Sequence, residues 1–496
     1  MTPPVPVAAS AKRDLLGARL MAVLAAIAMC IAALYCLRWA EGIGDDYYFY
    51  RLGLAAEQRA VGADIHLDLL ARADSLAIPR YDRQDLKVKS KAAVNYPLLA
   101  FSVGVAHATT EPLRGAACRD EFSTLVLPTL IRGWTLQFLT CLAVTLLVLL
   151  LWGESQHLRG FALLVLVLAA LEFALVPPRY DWRLAESATL PQLLGALGQF
   201  FLNPAVNLSP FGHTGRNAYL LLLPAFAMLR WSRLSRFSYC ILPVMMGVHQ
   251  INTLMTMLLL IPFDLFVRPQ IFRQWPTLGS IAIVCLLFLS GNPLSYSVDA
   301  SSTGLLLPVG VTLVALALTV GSAALSARIF RRGEFVASPT PIGPEIGYIT
   351  AVICVTAVAT WGIVQVVGID AAKFTWSELS GRLVSVARVL ILFGLAILAV
   401  RRLDTLRATA PRHVLTAGTA VGLLGLIAVT ALRIQRDPID PMNQFRDEDR
   451  RFRSLTSATF REPVNQDIVL YLAARGAECG RESVAVPLRN LRPAQP

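Results

Sequence analysis

The amino-acid sequence predicts an all-α fold, a polytopic transmembrane helical bundle. Two features of the composition support this fold class: 55% of the 496 residues are apolar, and only 16% are charged. An average soluble domain has roughly 25% charged residues. Apolar runs of about 20 residues, the length that crosses a bilayer as a helix, also recur along the chain. We therefore expect about eleven crossings of a membrane.

The first predicted crossing, 18–37, has three basic residues near its start, Lys12, Arg13 and Arg19, as the apolar region of a signal peptide does. Its length of about 20 residues and the lack of a small-residue cleavage site before Arg38 favour a retained span. Further apolar runs of spanning or near-spanning length follow at 134–152, 159–177, 217–229, 237–249, 251–266, 277–291, 304–327, 346–368, 383–400 and 414–433.

The stretch 237–266 has two interpretations: one tilted helix, or two short helices that meet near His249-Gln250. A single crossing would place Arg268 and Arg273 on the side of the long polar loops. Two crossings keep the basic loops together on the opposite side, as the positive-inside rule requires. The charge distribution therefore predicts two crossings here.

Loop charge also predicts the orientation of the bundle. Most arginines and lysines of the short loops share one side with the N-terminus, which the positive-inside rule assigns to the cytoplasm. An odd number of crossings then places the C-terminus outside. We expect a multi-pass protein of a bacterial inner (plasma) membrane, with its active side toward the periplasm.

This topology places the long polar segments outside the cell. Residues 1–433 form the transmembrane module, which contains a first outer loop at 38–133 and a second at 178–216. Residues 434–496 form a small extracytoplasmic segment without a full domain core of its own. The polar mass of the chain is therefore predicted on the extracytoplasmic side.

The first outer loop contains a helical apolar pattern. Leu54, Val61, Ile65, Leu69 and Leu76 recur at steps of three, four and seven residues, with polar residues between them. This pattern predicts an amphipathic helix that lies along the membrane surface, or equally a core helix of a small outer domain.

Several functions are disfavoured by composition and motifs. The net charge of +12 is spread over short loops and the tail, without a nucleic-acid-binding motif, so we expect no nucleic-acid partner. No nucleotide-binding fingerprint occurs, which argues against a soluble nucleotide donor. The cysteines lack metal-ligand spacing; Cys118 and Cys479, in polar segments, form either a disulfide or two free thiols.

The strongest functional lead is the adjacent pair Asp45 and Asp46, just after the first span. Carboxylates at a lipid–water boundary are able to accept a proton from a hydroxyl or to hold a divalent cation. The competing interpretation is that the pair only marks the exit of the helix. We take Asp45 and Asp46 as the candidate catalytic residues and as the candidate ligands of any metal.

A second candidate region opens the second outer loop. Arg179, Tyr180, Asp181 and Arg183 combine guanidinium groups, which bind phosphate bidentately, with a carboxylate and an aromatic ring. An ordinary aromatic belt with arginines that reach toward the interface is the alternative. We expect these four residues to contribute to substrate binding.

Two further polar groups interrupt apolar segments. His213 and Arg216 lie in a stretch broken by Pro and Gly, which at membrane depth is tolerated only where protein or a water-filled cavity covers it. His249, Gln250 and Asn252 lie at the predicted apex of two short helices, and burial in lipid would be costly unless they point inward. We expect His213, Arg216, His249 and Gln250 to bind substrate.

The aspartate pair after the first span, the long first outer loop with its amphipathic helix, the eleven or so spans and the outer C-terminal segment together resemble the GT-C superfamily of integral-membrane glycosyltransferases. The resemblance covers the architecture of most of the chain, and its motif content is chiefly Asp45 and Asp46, with Arg179-Tyr-Asp-Trp-Arg and His249-Gln250. The second outer loop departs from the family by lacking a clear Asp-x-Asp.

The resemblance implies that the chain transfers a hexose or pentose from a polyprenyl-phosphate-linked donor to a lipid or glycan acceptor. It also implies that Asp45 or Asp46 is the general base or is associated with a divalent cation, the one cofactor to be considered. Membrane lipids would surround the bundle as further partners.

Two alternatives remain. A polysaccharide polymerase or ligase of the O-antigen type would use arginines and a histidine in a late outer loop, but loops 292–303 and 369–382 contain only Lys373 and Arg382 as basic residues. A transporter or flippase for a lipid-linked substrate would have ionisable residues along a path toward the cytoplasm. The sequence instead predicts spans that contain few buried charges.

Overall fold

The structure of the chain is a computed structural model. The structure describes residues 7–36, 126–174, 214–291, 342–367, 369–406 and 409–436, together with single positions near 98–109, 189–195 and 320–324. Within these ranges every regular element is a helix, and no strand occurs. The prediction of an all-α fold is therefore confirmed for the described part of the chain.

The described helices are numbered here in chain order. The α-helices are α1 (Val7–Cys36), α2 (Val126–Trp152), α3 (Ser155–Ala174), α4 (Thr214–Arg230), α5 (Leu242–Val248), α6 (Gln250–Val267), α7 (Trp275–Gly291), α8 (Ile342–Val367), α9 (Ile369–Thr405) and α10 (Thr409–Arg436). Two 3-10 helices, η1 (Ser235–Ile241) and η2 (Pro269–Arg273), connect α4 to α5 and α6 to α7.

Six of the described helices are long and apolar enough to cross a membrane. The qualifying segments are Lys12–Leu34, Thr135–Trp152, Gln250–Val267, Ile342–Ala359, Arg382–Thr405 and His413–Arg436. Shorter apolar helices occur at Ser155–Ala170, Ala218–Arg230 and Trp275–Leu289. Several long apolar helices are compatible with the predicted multi-pass membrane protein. The number of eleven crossings and the orientation stay predictions.

The chain breaks and reverses at His249. This residue ends α5 and begins α6 with an extended backbone (φ −156°, ψ 107°), and its Nδ1 accepts from the backbone N–H of Asn252 at 3.2 Å. A hydrogen bond joins the two sides of the break: Tyr239 of η1 donates through Oη to Asp264 Oδ2, near the end of α6, at 2.6 Å. Residues 237–266 therefore form a helical hairpin and not one continuous helix.

Cross-helix contacts define two ends of the bundle. Near the start of α4, Tyr219 Oη donates to the carbonyl oxygen of Asn252 (3.1 Å), and at its end Arg230 binds Asp264. The start of α4 thus lies beside the start of α6, and the end of α4 lies beside the end of α6. Helices α4 and α6 are therefore parallel. We call the end around His249 the histidine end and the end around Arg230 the arginine end.

Glycines allow the helices to approach closely on α9. A Cβ added to Gly394 would lie 2.5 Å from Ile346 Cδ1 of α8 and 3.1 Å from Trp231 Cη2, and one added to Gly160 of α3 would lie 2.8 Å from Ile397 Cγ1. Small residues are used in this way where membrane helices pack backbone to backbone. The central helix α9 is thus fixed against α8 and α3.

Candidate functional site

Most of the predicted site residues lie outside the described part of the chain. This is so for Asp45, Asp46, Arg179, Tyr180, Asp181, Arg183 and His213. Arg216 lies in the first turn of α4, at the histidine end, and its side chain is not described. The convergence of these residues with one another stays a prediction, whereas the burial and several contacts of His249 and Gln250 are described.

The prediction that the polar groups near His249 point inward is confirmed. His249 is 6% exposed, Gln250 is 1% exposed, and Asn252 is fully buried. His249, Asn252, Thr253 and Thr256 are spaced at i, i+3, i+4 and i+7, which places them on one face of α6. All four are buried, so this face is a polar stripe inside the bundle.

Hydrogen bonds along the stripe hold the first two turns of α6. Thr253 Oγ1 donates to the carbonyl oxygen of His249, and Thr256 Oγ1 donates to that of Asn252, both at 2.9 Å. Tyr219 Oη lies 2.5 Å from Thr256 Oγ1. The tyrosine ring meets the His249 ring edge-on at a centroid distance of 6.4 Å. The position of the imidazole is therefore well determined by α4 and α6.

The His249 ring faces two hydrogen-bond donors. Its Nδ1 meets the N–H of Asn252, and its Nε2 lies 3.2 Å from Nη1 of Arg382, which begins the apolar part of α9. A neutral imidazole has one acceptor nitrogen, and an imidazolium has none. One of the two donors therefore receives no acceptor from this ring. The His249 ring therefore offers at most one acceptor to the two donors that it faces.

The side chain of Asn252 adds unused hydrogen-bonding capacity. Its Nδ2 and Oδ1 are both buried and have no hydrogen-bond partner among the residues that the structure describes. An unsatisfied buried polar group costs about 1–3 kcal/mol, so such an amide is uncommon in a purely structural role. A ligand hydroxyl would be able to donate to Oδ1 and accept from Nδ2 at once.

Charge separates the histidine end from the arginine end. Across α4–α7 and the described side chains of α9, the carboxylates are Asp264 and Asp404, and both lie at the arginine end. At the histidine end α9 instead contributes Arg382 and, about two turns further, Arg388, which is 2% exposed. The described groups of this end therefore favour an anionic or oxygen-rich ligand.

The arginine end contains a buried ionic network that the sequence analysis did not single out. Arg230 is fully buried and binds both oxygens of Asp264 through Nη1 (2.5 Å) and Nη2 (2.6 Å). Its Nε donates to Glu345 Oε1 of α8, whose Oε2 accepts from Trp231 Nε1 at 3.1 Å. Two buried carboxylates thus share one guanidinium.

Arg268 completes the charge balance of this network. Its Nη2 lies 3.2 Å from Asp264 Oδ1 and 3.6 Å from Glu345 Oε2. Two arginines therefore face two carboxylates, and Tyr239 and Trp231 provide further donors. Because the charges are matched and the groups come from α4, α6 and α8, the network ties these three helices together.

Part of this network had a signal in the sequence. Asp264 interrupts the apolar run 251–266, and a carboxylate inside a membrane helix is by default a group with a partner. Arg230 and Arg268 were counted only as loop charges. The premise that the spans are poor in buried charge is also wrong, because Arg230, Asp264, Glu345 and Arg388 are all buried.

A smaller ion pair at the arginine end connects α3 with α9. Arg159 binds Asp404 with Nη1 and Nη2 at 3.0 and 2.7 Å, and Arg401 Nε donates to Gln156 Oε1 at 2.9 Å. The contacts join the start of α3 to the last turns of α9.

A metal site was predicted only for Asp45 and Asp46, which the structure does not describe. Among the residues that it does describe, no group of three or more histidine, cysteine, aspartate or glutamate side chains is able to hold a metal ion. Comparisons of the chain with models of protein families, with curated proteins and with solved structures find no match.

Proposed function

We propose that the chain is an integral-membrane glycosyltransferase that moves a hexose or pentose from a polyprenyl-phosphate-linked donor to a lipid or glycan acceptor. The reaction would take place on the extracytoplasmic side of a bacterial inner membrane. The observation that supports it most is the buried polar stripe at the histidine end, where two N–H donors face the His249 ring and the side chain of Asn252 has no hydrogen-bond partner among the described residues.

The proposed chemistry is a single displacement at the anomeric carbon. Asp45 or Asp46 removes the proton of the acceptor hydroxyl, whose oxygen bonds to the anomeric carbon. The bond from that carbon to the phosphate oxygen breaks, and polyprenyl phosphate leaves with the electron pair. Arginine N–H groups stabilise the leaving phosphate, for which Arg179, Arg183, Arg216 and Arg382 are the candidates.

The histidine end suits the donor better than the arginine end does. An isoprenoid chain requires apolar surroundings, and its phosphate requires cations or N–H donors close to the lipid boundary. Arg382 provides such a donor beside His249, and Asn252 offers both a donor and an acceptor to a sugar hydroxyl. At the arginine end the guanidinium of Arg230 is already occupied by two carboxylates.

The proposal is tested by reconstituting the full chain in liposomes with a panel of short polyprenyl-phosphate hexoses and pentoses. Release of polyprenyl phosphate is measured in the presence of membrane glycolipid acceptors. The double variant Asp45→Asn/Asp46→Asn is expected to reduce release about 10²–10⁴-fold, because loss of a general base removes that factor. Its thermal unfolding should match that of the unsubstituted chain.

The control variant is Glu154→Gln, which removes an exposed carboxylate at the arginine end and is expected to leave the rate unchanged. Full activity of the aspartate double variant would remove Asp45 and Asp46 from the mechanism. Failure of the unsubstituted chain to consume any donor of the panel would count against glycosyl transfer itself.

A second candidate function is favoured by one specific contact. Arg382 ends the last predicted outer loop and lies 3.2 Å from His249, so an arginine and a histidine meet at the predicted outer end. This pairing is what an O-antigen-type polymerase or ligase would use on a lipid-linked glycan. In that case Arg382→Gln would abolish turnover and Asp45→Asn/Asp46→Asn would retain it, which is the opposite order from the first proposal.

A further inference from the structure

The surface formed by η1, η2 and the start of α7 is basic and aromatic. Its exposed arginines are Arg233, Arg236 and Arg273. Two aromatic side chains are exposed beside them, Phe237 at 36% and Trp275 at 81%. We call these five residues the basic platform. It lies at the arginine end, where α4 ends and α6 leads into α7.

Direct contacts hold the segments that carry the basic platform next to one another. Thr277 Oγ1 of α7 donates to the carbonyl oxygen of Arg236 at 3.4 Å, which places η1 against the first turn of α7. The rings of Tyr239 and Phe272 meet at a centroid distance of 5.9 Å, which joins η1 to η2. The guanidinium of Arg236 lies 4.7 Å from the centroid of the Phe237 ring.

The positive charge of the platform is not neutralised by its own segment. Residues 231–291 contain a single carboxylate, Asp264. That carboxylate is fully buried and bound by Arg230, Arg268 and Tyr239. The exposed arginines therefore present their charge to the surroundings.

The neighbouring surface indicates which kind of partner fits. Along α7, Leu278, Ile283, Leu286 and Leu289 are each about half exposed or more, as expected of a helix that faces acyl chains. An exposed tryptophan at the end of such a helix is typical of the headgroup layer. Arginines at the same depth attract the negative charge of phospholipids.

We propose that the basic platform binds the phosphodiester headgroup of an anionic phospholipid in the leaflet at the arginine end. The headgroup phosphate accepts from Arg236, Arg233 and Arg273, while Trp275 and Phe237 insert at the boundary between headgroups and acyl chains. The site lies at the opposite end of α6 from the proposed transfer site, and it does not depend on that proposal.

The test uses the purified full chain in nanodiscs of phosphatidylcholine alone or with one third phosphatidylglycerol. Lipids that stay bound are counted by native mass spectrometry, and thermal unfolding is followed in parallel. The unsubstituted chain is expected to retain phosphatidylglycerol in preference to phosphatidylcholine and to unfold at a higher temperature when phosphatidylglycerol is present. Arg233→Gln/Arg236→Gln/Arg273→Gln should lower the preference about five-fold for each arginine removed.

Arg402→Gln is the matched control, because Arg402 is an exposed arginine at the same end of the bundle and lies outside the platform. It is expected to keep the preference. If the triple variant does not fold, the test is made on the unsubstituted chain alone. Rising salt concentration must then weaken its preference for phosphatidylglycerol over phosphatidylcholine, because salt screens exposed charges. Equal retention of both lipids, an unaffected triple variant, or the same thermal shift with inorganic phosphate in phosphatidylcholine would each overturn the proposal.

Discussion

The two ends of α6 are equally buried and differ in how well their polar groups are paired. At the arginine end, Asp264 meets Arg230, Arg268 and Tyr239, so that each charge faces an opposite charge. At the histidine end, His249 faces two donors, and the amide of Asn252 has no hydrogen-bond partner among the described residues. The same helix therefore has matched charges at one end and, within the described part of the chain, an unsatisfied amide at the other.

This difference separates structural from functional roles. A buried ionic network is stable only when its charges are matched, and at the arginine end two arginines face two carboxylates, with Nη2 of Arg268 making ion-pair contacts but no hydrogen bond among the described residues. Unsatisfied groups at the same depth lower stability, so their retention is understandable where a ligand supplies the missing partners. The arginine end therefore clamps the helices together, whereas the binding site at the histidine end stays a proposal.

The largest expected effect on stability comes from breaking the clamp. Asp264→Asn leaves Arg230 with Glu345 as its single buried counter-charge, and removal of one partner from a buried pair costs about 3–5 kcal/mol. We expect a strong decrease in folded yield and in the midpoint of thermal unfolding in detergent. Unfolding of this variant at the temperature of the unsubstituted chain would show that the network does not hold the helices.

A steric change tests the same end without a change of charge. Gly394→Ala would press a methyl group against Ile346 and against Trp231, which donates to Glu345. Overpacking of this kind costs about 1–3 kcal/mol. Gly418→Ala on α10 is the control, because nothing lies within 4 Å of its added Cβ and alanine favours a helix. Equal unfolding midpoints of the two variants would contradict the close contact.

A smaller effect is expected at the partly exposed ion pair. Asp404 is 18% exposed and binds Arg159, so Asp404→Asn should lower the unfolding free energy by about 1 kcal/mol. The loss is expected to shrink at 1 M salt, where exposed charges are screened within about 3 Å. If Asp404→Asn lowers the unfolding free energy as much as Asp264→Asn does, the difference in burial does not distinguish the Arg159–Asp404 pair from the Arg230–Asp264 pair.

The smallest change in stability, with a large change in activity, is expected at the histidine end. Asn252→Leu removes two unsatisfied polar atoms and keeps a similar volume, so the unfolding temperature should stay equal or rise. Turnover of the polyprenyl-phosphate donor should fall, since the hydrogen bonds to a bound sugar are lost. Thr253→Val is the control, because Thr253 lies on the same helix face. Normal turnover by Asn252→Leu would show that the amide of Asn252 does not bind the donor.

The fold class and part of the candidate site were accessible from the sequence. Apolar periodicity and low charge predicted the helical bundle, and loop charges predicted the reversal at His249-Gln250. The inward direction of His249, Gln250 and Asn252 followed from the cost of polar groups in lipid. The roles of Asp45, Asp46, Arg179, Tyr180, Asp181, Arg183, His213 and Arg216 stay predictions.

The ionic network escaped the sequence analysis for a physical reason. Hydropathy sums treat each residue by itself, so Arg230 at the end of an apolar run looks the same as any basic residue of a cytoplasmic loop. Its partners lie 34 and 115 positions away in the chain. An arginine at the end of a helix turns either outward to water or inward to a carboxylate. Which of the two occurs depends on contacts with distant helices, and local sequence patterns do not predict those contacts.

By itself the sequence determined that the chain forms apolar helices, where one of them is interrupted, and which polar residues interrupt it. These properties depend on neighbours a few positions apart, which hydrophobicity and charge describe well. Only the tertiary structure decided which polar groups pair, because Arg230, Asp264 and Glu345 meet through the packing of three separate helices. In the described part of the chain, the same packing leaves the amide of Asn252 buried without a hydrogen-bond partner, and this is why we propose a binding site there.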